Sequence, residues 1–211
     1  MRVAVIEDIG VTLAGLTAEL SRADMSVVGV SEAAAVPARL QAEQVDVVVC
    51  DLYLQGEAGP PAFGLIDDLV DAGHRIVVHS TWALDPDVLA VIDAGALAYV
   101  QKSSRCDPLI DAVRRVARMS PTDAPILTPE VAAAVRRRQR FGLTPAELEV
   151  LTYLGQHLTN AEIAELRSVS LDTVKTQLNA IRGKLGATNR AAAVRTAHEH
   201  GLLGRWVRHR P

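Results

Sequence analysis

The chain has 211 residues, a net charge of −3 and 49% apolar residues, of which few are aromatic. At roughly 150 residues per domain, this length allows one or two domains that each bury a core. No run reaches the roughly 18 uninterrupted apolar residues that a membrane span requires, and the start MRVAVIED lacks the pattern of a secretory signal. We therefore expect a cytoplasmic protein without membrane association.

Charge is divided unevenly along the chain. Residues 1–119 contain 9 Lys and Arg against 17 Asp and Glu, a net charge of −8, whereas residues 120–211 contain 13 against 8, a net charge of +5. A basic half suits a polyanion such as nucleic acid, although a run of charge is more often a solvated surface. Charge alone does not distinguish a nucleic-acid-binding half from a solvated surface, whereas sequence motifs do.

The first half alternates apolar runs with helical patterns. Five runs predict strands: RVAVIE, SVVGVS, VDVVVCD, RIVVHS and ALAYVQ. Helical patterns such as VTLAGLTAELSRA, FGLIDDLVDAG and DPDVLAVIDAG lie between them, and a further helix is expected near Asp107, with Pro108 at its first position. Val-rich strands that alternate with helices predict a five-stranded, doubly wound parallel sheet, an α/β domain over residues 1–119.

Residues 120–140, SPTDAPILTPEVAAAVRRRQR, predict a linker with one short helix that starts at Thr128-Pro129. Its arginines either face phosphates or form a solvated helix end. They are Arg136, Arg137, Arg138 and Arg140.

From Leu143 onward the strand pattern is replaced by helix-start signals. Two are capping boxes, in which a threonine oxygen accepts a backbone N–H and a glutamate reaches back. The signals are Thr144 with Glu147, Thr159 with Glu162, Ser170, and Thr188-Asn189. We therefore predict a second, smaller all-α domain over residues 141–211, with a helix-turn-helix at residues 160–186.

Several predicted strands end in charged or hydroxyl residues: Glu7-Asp8, Asp51, Ser80 and Lys102. Ligands of open parallel sheets bind at this edge. Three carboxylates in one cleft repel each other unless a divalent cation lies among them, and Mg2+ prefers a few carboxylates with waters and a phosphate. Alone, each residue is more often a helix cap or an exposed charge; together they predict a phosphoryl-handling site.

Residues 1 to about 119 resemble the receiver domain of bacterial two-component regulators, a flavodoxin-like fold, through IEDIG, VVVCDLYL, IVVHST and GALAYVQKS. The resemblance implies that Asp51 is the phosphate acceptor. It also implies that Asp8 and Asp51 bind Mg2+ together with the backbone carbonyl of Tyr53, while Glu7 acts through water.

The same resemblance assigns the switch residues. Lys102 would pair with the phosphoryl group, and Ser80, rather than Thr81, matches the hydroxyl that rotates onto it. Tyr99 matches the aromatic residue that swings inward on activation. The loop QGEAGPPAFG departs from the family, with Gln55 where proline is common, but no phosphoryl-handling residue is lost.

The segment after Ser170 has one apolar helical face, formed by Val174, Leu178, Ile181 and Leu185. The other side suits base edges and phosphates or, alternatively, is an ordinary solvated face. It carries Thr173, Lys175, Thr176, Asn179 and Arg182.

Residues 142–203 resemble the LuxR-type output domain through TVKTQL and KLGATNRAAAV. The resemblance implies that Lys175, Thr176 and Asn179 face the major groove, with Arg182 and Lys184 near phosphates. A final helix over residues 190–200 would supply a dimer contact. One departure is Arg167-Ser168, where the family more often has an apolar residue and a small turn residue, so helix packing is expected to differ there.

The two halves together resemble the NarL/FixJ class of response regulators. This implies a DNA-binding regulator of transcription, not an enzyme, phosphorylated on Asp51 by a histidine kinase. Movement of Ser80 and Tyr99 would change the face of the fourth helix and cause dimerisation or release of the output domain. The partners are double-stranded DNA, the kinase, a second copy of the chain, and RNA polymerase as a further candidate.

Two alternatives remain at this point. A Mg2+-dependent phosphatase of the haloacid dehalogenase type also uses an aspartate after a strand, but it needs a second Asp where this chain has Tyr53. A regulator that works without phosphorylation is the other alternative, and the complete acidic pocket argues against it.

Overall fold

The computed structural model describes residues 1–54, 61–81, 85–103, 105–120 and 122–203. The chain forms two compact units, and the main division falls between Thr128 and Pro129. The domain boundaries predicted above stay predictions, although this division lies within the predicted linker. The predicted departure at Gln55 lies outside the described residues.

The first unit alternates strands and helices, as the sequence predicts. A single turn of tighter helix over Ala33–Ala35 precedes the second helix. The elements are β1 (Arg2–Ile6), α1 (Gly10–Arg22), β2 (Ser26–Val30), α2 (Val36–Ala42), β3 (Val47–Cys50), α3 (Phe63–Asp71), β4 (Ile76–Ser80), α4 (Asp85–Asp93), β5 (Ala98–Gln101) and α5 (Asp107–Val116).

All five strands are parallel, in the order β2-β1-β3-β4-β5. Val3 pairs with Val47, and Val49 with Val77. This is the flavodoxin-like order, in which ligands bind beyond the carboxyl ends of the strands. The predicted fold class is confirmed, and the strand ends lie along one edge of the sheet.

Valines dominate the sheet because both of its faces are covered. On one face, Val3 and Val49 pack in a cluster with Leu20 of α1 and Val113 of α5. Every residue of β3 and β4 is buried. Buried central strands thus support the residues that follow them.

The start of the predicted linker lies against the sheet. The Arg75 Nε donates to the carbonyl of Met119, and the Ile126 N–H donates to the carbonyl of Leu97 over 2.7 Å. Ile126 also forms a parallel bridge with Ala98 of β5, the edge strand. This contact covers part of the exposed edge.

The second unit is helical, with α6 (Pro129–Phe141), α7 (Pro145–Gly155), α8 (Asn160–Leu166), α9 (Leu171–Leu185) and α10 (Arg190–Glu199). Both predicted capping boxes form: the N–H of Thr144 donates to Glu147 over 2.7 Å, and that of Thr159 to Glu162 over 2.6 Å. The contact of the α6 arginines with phosphates stays a prediction, and the side chains of Arg137 and Arg138 lie outside the described set.

The core of the second unit includes the predicted apolar face of α9. Val174 and Ile181 are fully buried there, with Leu151 of α7 and Ile163 of α8. Gly186, in the left-handed region at φ 62°, ends α9. Among the helices of the described residues, none is both long and apolar enough to cross a membrane.

Candidate functional sites

Three acids meet at the carboxyl edge of the sheet. Glu7 and Asp8 follow β1, and Asp51 follows β3, which pairs with β1. Glu7 is 1% exposed and Asp51 5%. One carboxylate oxygen from each of the three residues lies within 4.8 Å of the others. At this separation the three negative charges repel strongly unless a cation compensates them.

Lys102, which follows β5, supplies one such cation. Its Nζ lies 2.6 Å from Glu7 Oε2 and 2.7 Å from Asp51 Oδ2. Burial disfavours the charged ammonium, but the hydrogen bonds to Asp51 and Glu7 outweigh it, so the pKa of Lys102 is raised. Lys102 is therefore a fixed positive charge beside Asp51.

Asp8 is the least compensated acid of the cluster. Its Oδ1 is buried and has no hydrogen-bond partner in the described part of the chain. By contrast, Asp51 Oδ1 accepts the N–H of Tyr53 over 3.3 Å, and Glu7 Oε1 accepts that of Ile9 over 3.2 Å. A buried carboxylate oxygen beside two further acids is the donor set that Mg2+ prefers. The residues present therefore fit this ion.

The remaining predicted receiver residues lie on the neighbouring strands. Ser80 ends β4 and is buried, whereas Thr81 is exposed, which favours Ser80 as the inward hydroxyl. The Lys102 N–H donates to the Ser80 carbonyl over 2.9 Å, which holds these two strand ends together. Tyr99, on β5, has a buried ring. Its inward movement stays a prediction.

His79 is a buried residue near the acids that sequence reasoning missed. Burial, with the nearby charge of Lys102, lowers the pKa of His79 to about 4. Its Nδ1 is buried without a partner among the described residues. The available signal was a polar residue inside the apolar run RIVVHS. His79 is thus a buried, neutral ring on β4, directly before Ser80.

In the second unit, α9 exposes the residues predicted to bind DNA. Thr173, Lys175, Thr176 and Asn179 are exposed, opposite the buried Val174 side of the helix. The Lys175 Nζ lies 3.2 Å from Asp172 Oδ1, a surface pair that costs little to break. The predicted base-reading side chains are therefore accessible.

The two predicted phosphate contacts have internal partners. Arg182 donates to the carbonyl of Thr188, just after α9, and the Lys184 Nζ lies 2.6 Å from Glu147 Oε2. Burial raises the pKa of Glu147, but the hydrogen bonds from Lys184 and Thr144 outweigh it and hold it below its ordinary value. Both cations thus stabilise the unit, and their contact with phosphates stays a prediction.

Arg167, where the sequence departs from the expected apolar residue, forms side-chain hydrogen bonds to two other helices. Its Nε donates to Glu149 Oε2 over 2.9 Å, and its Nη1 donates to Gln177 Oε1 over 2.7 Å. The following Ser168 adopts the left-handed conformation, with φ 50°. This turn connects α8 to the Ser170 cap of α9.

Two family models match the chain. The response regulator receiver domain covers residues 3–114, and the model described as bacterial regulatory proteins, luxR family, covers residues 142–197. The transcriptional regulatory protein LiaR of Bacillus subtilis is 33% identical over 96% of this chain and 99% of its own. The nitrate/nitrite response regulator protein NarP of Escherichia coli is 33% identical over 71% of each chain.

Solved structures agree on the fold. The response regulator ChrA of a heme-sensing two-component system is 34% identical, with a TM-score of 0.50 and coverage of 96% of this chain and 98% of ChrA. The response regulator RcsB in its DNA complex has a TM-score of 0.61 at 22% identity, over 94% and 98% of the two chains, and supports the fold alone. The chain therefore belongs to the two-component response regulators of the NarL/FixJ class, in which a receiver domain is joined to a LuxR-type DNA-binding domain.

Proposed function

We propose that this protein accepts a phosphoryl group on Asp51 from a histidine kinase and thereby controls transcription from the DNA that its LuxR-type domain binds. One observation carries the proposal. The Asp51 carboxylate lies at the carboxyl end of β3, within 4.8 Å of two further acids and 2.7 Å from the ammonium of Lys102. This combination places a carboxylate beside a cation that can bind the oxygens of an incoming phosphoryl group.

In the proposed transfer, an Asp51 oxygen forms a bond to phosphorus while the bond from phosphorus to the kinase imidazole nitrogen breaks. The imidazole keeps the electron pair. The phosphoryl group adds about −1.5 to −2 charge. Lys102 then directs its hydrogen bond from the Asp51 oxygen to a phosphoryl oxygen, and Ser80 supplies a second donor after rotation.

Asp8 and Asp51, with the backbone carbonyl of Tyr53, would hold Mg2+, and Glu7 would act through water. The unpartnered Oδ1 of Asp8 supports this assignment. When bound, the ion neutralises charge on the phosphoryl oxygens. The chain itself contributes the fixed carboxylates and Lys102, which keep the phosphorylated residue oriented.

The output follows from the exposed side of α9. We propose that Lys175, Thr176 and Asn179 read bases in the major groove, and that Thr173, on the same side of α9, also contacts the DNA. Arg182 and Lys184 would contact phosphates from the flanks of the helix. Dimerisation through α10 would pair two α9 helices on one DNA site. The protein would thus act in the cytoplasm as a DNA-binding regulator rather than as an enzyme, with RNA polymerase as a further candidate partner.

The test of the acceptor is Asp51→Asn, with Asp68→Asn as control, since Asp68 is an exposed acid on α3. We expect acid-labile, Mg2+-dependent labelling by a small phosphodonor in the parent and the control but not in Asp51→Asn. Equal labelling of Asp51→Asn would contradict the proposal. A parent that binds DNA but is never labelled would favour the phosphorylation-independent alternative.

A further inference from the structure

Arg167 is a partly buried charged residue in the turn between α8 and α9. Its side chain is 11% exposed. An unpaired guanidinium there would be destabilising, so its partners determine whether the site is stable. Both partners lie on other helices.

The guanidinium joins three helices. Arg167 follows the last residue of α8, and its side chain donates to Glu149 of α7 over 2.9 Å and to Gln177 of α9 over 2.7 Å. Glu149 is itself 23% exposed, so the pair is largely shielded from water. Charge-assisted bonds to a planar guanidinium are directional, and they fix angles as well as distances.

A second bond from α7 to α9 lies farther along the same flank. Lys184 is seven residues after Gln177, so the two side chains share one side of α9, and Lys184 binds Glu147 of α7 over 2.6 Å. Helix α9 is therefore held by α7 at two points, one of them through Arg167. Two points on one flank fix both the rotation of a helix about its axis and its position along that axis.

We propose that Arg167 is a positioning residue for DNA reading: through Gln177 it fixes the rotation of α9, and thus the aim of Lys175 and Asn179 at base edges. The inference rests on the proposed base-reading side of α9. Base recognition requires placement to about 0.5 Å and 10–20°. Contacts of long cationic side chains with phosphates tolerate larger shifts, so rotation of α9 reduces specific binding more than nonspecific binding.

The test compares Arg167→Leu with Arg39→Leu in the full-length protein. Arg39 is exposed on α2, so its substitution removes the same charge outside the proposed DNA and dimer contacts. A duplex is first selected from a random pool with the parent protein. The affinities for that duplex and for a random duplex are then measured at several salt concentrations.

We expect Arg167→Leu to lower the ratio of specific to nonspecific affinity about tenfold, with the salt dependence unchanged. Arg39→Leu should leave the ratio at the parent value. Gln177→Leu is the second variant; it keeps the Arg167–Glu149 pair, so folding is retained, and the ratio should also fall. The affinity ratio of the double variant should be little lower than that of Arg167→Leu, because both substitutions remove the same Arg167–Gln177 hydrogen bond.

Three outcomes overturn the inference. A salt dependence reduced by about one counterion in Arg167→Leu would assign Arg167 to a phosphate instead. A lower melting temperature with an unchanged affinity ratio in both variants would leave Arg167 with a purely structural role. If the parent selects no duplex with or without prior treatment by a small phosphodonor, the proposed reading of bases by α9 fails, and the positioning role fails with it.

Discussion

Asp8 differs from its acidic neighbours because one of its oxygens is buried without a hydrogen-bond partner in the described residues. Lys102 compensates Glu7 and Asp51 directly, over 2.6 and 2.7 Å, but within the described residues it forms no ion pair with Asp8. The receiver thus keeps a partly uncompensated charge where Mg2+ is proposed to bind. Repulsion at such a site lowers the folding stability of the protein without the ion, and binding of the ion raises it.

Asp8→Asn should therefore act in opposite directions on stability and on Mg2+ binding. Without Mg2+, removal of the charge relieves repulsion and should stabilise the protein by about 1 kcal/mol. Loss of a ligand should lower Mg2+ affinity about tenfold or more. Thermal unfolding with and without Mg2+, and calorimetric titration, measure the two effects. Asp68→Asn is the control, and lower stability of Asp8→Asn without Mg2+ would contradict this account.

At the scale of elements, local signals predicted most of what formed. Val-rich runs form buried strands because both faces of the sheet are covered. The pairs Thr144/Glu147 and Thr159/Glu162 form capping boxes because the two residues of each pair lie within one helical turn. The convergence of Asp51 with Glu7 also followed from the parallel order of the strands.

Contacts between distant residues were not predictable in this way. Lys184 was assigned to phosphates, and nothing local indicates its bond to Glu147, 37 residues earlier. The pairing of Ile126 with the edge strand β5 was likewise missed, because the segment carries only linker signals. Both contacts depend on tertiary packing, which overrides local preference.

The Glu147–Lys184 pair predicts an acid dependence of the second unit. Because the pKa of Glu147 is lowered in the fold, its stabilisation is complete above the unfolded value near 4.5 and is lost as pH falls through the folded value. Glu147→Gln keeps a capping partner for Thr144 but removes the charge. It should cost about 2 kcal/mol at neutral pH and less at an acidic pH at which Glu147 becomes protonated in the fold.

Denaturant unfolding at the two pH values measures this difference. Glu199→Gln, at an exposed acid on α10, serves as the control and should change stability little at either pH. An equal loss of stability for Glu147→Gln at both pH values would mean that the pair is not the source of the acid dependence.

At the scale of the whole molecule, the division of charge opposes DNA binding by the full chain. Residues 129–211 carry 13 Lys and Arg against 7 Asp and Glu, a net charge of +6, whereas the complete chain has −3. The acidic receiver therefore lowers the affinity of the tethered output domain for a polyanion. The proposed phosphorylation would add further negative charge, so a gain in DNA affinity on activation would have to come from dimerisation or rearrangement rather than from net charge.

A fragment of residues 129–211 should consequently bind DNA more tightly than the unphosphorylated full chain. The unit has its own buried core, so circular dichroism should show a folded fragment. The advantage should be largest at low salt and should shrink as the Debye length falls to about 10 Å near 0.1 M ionic strength. Fluorescence anisotropy with one random duplex, over a salt series, measures both proteins. Equal affinities at low salt would show that the receiver's charge does not reach the DNA, whereas a persistent advantage at high salt would indicate that the receiver blocks the output domain by direct contact.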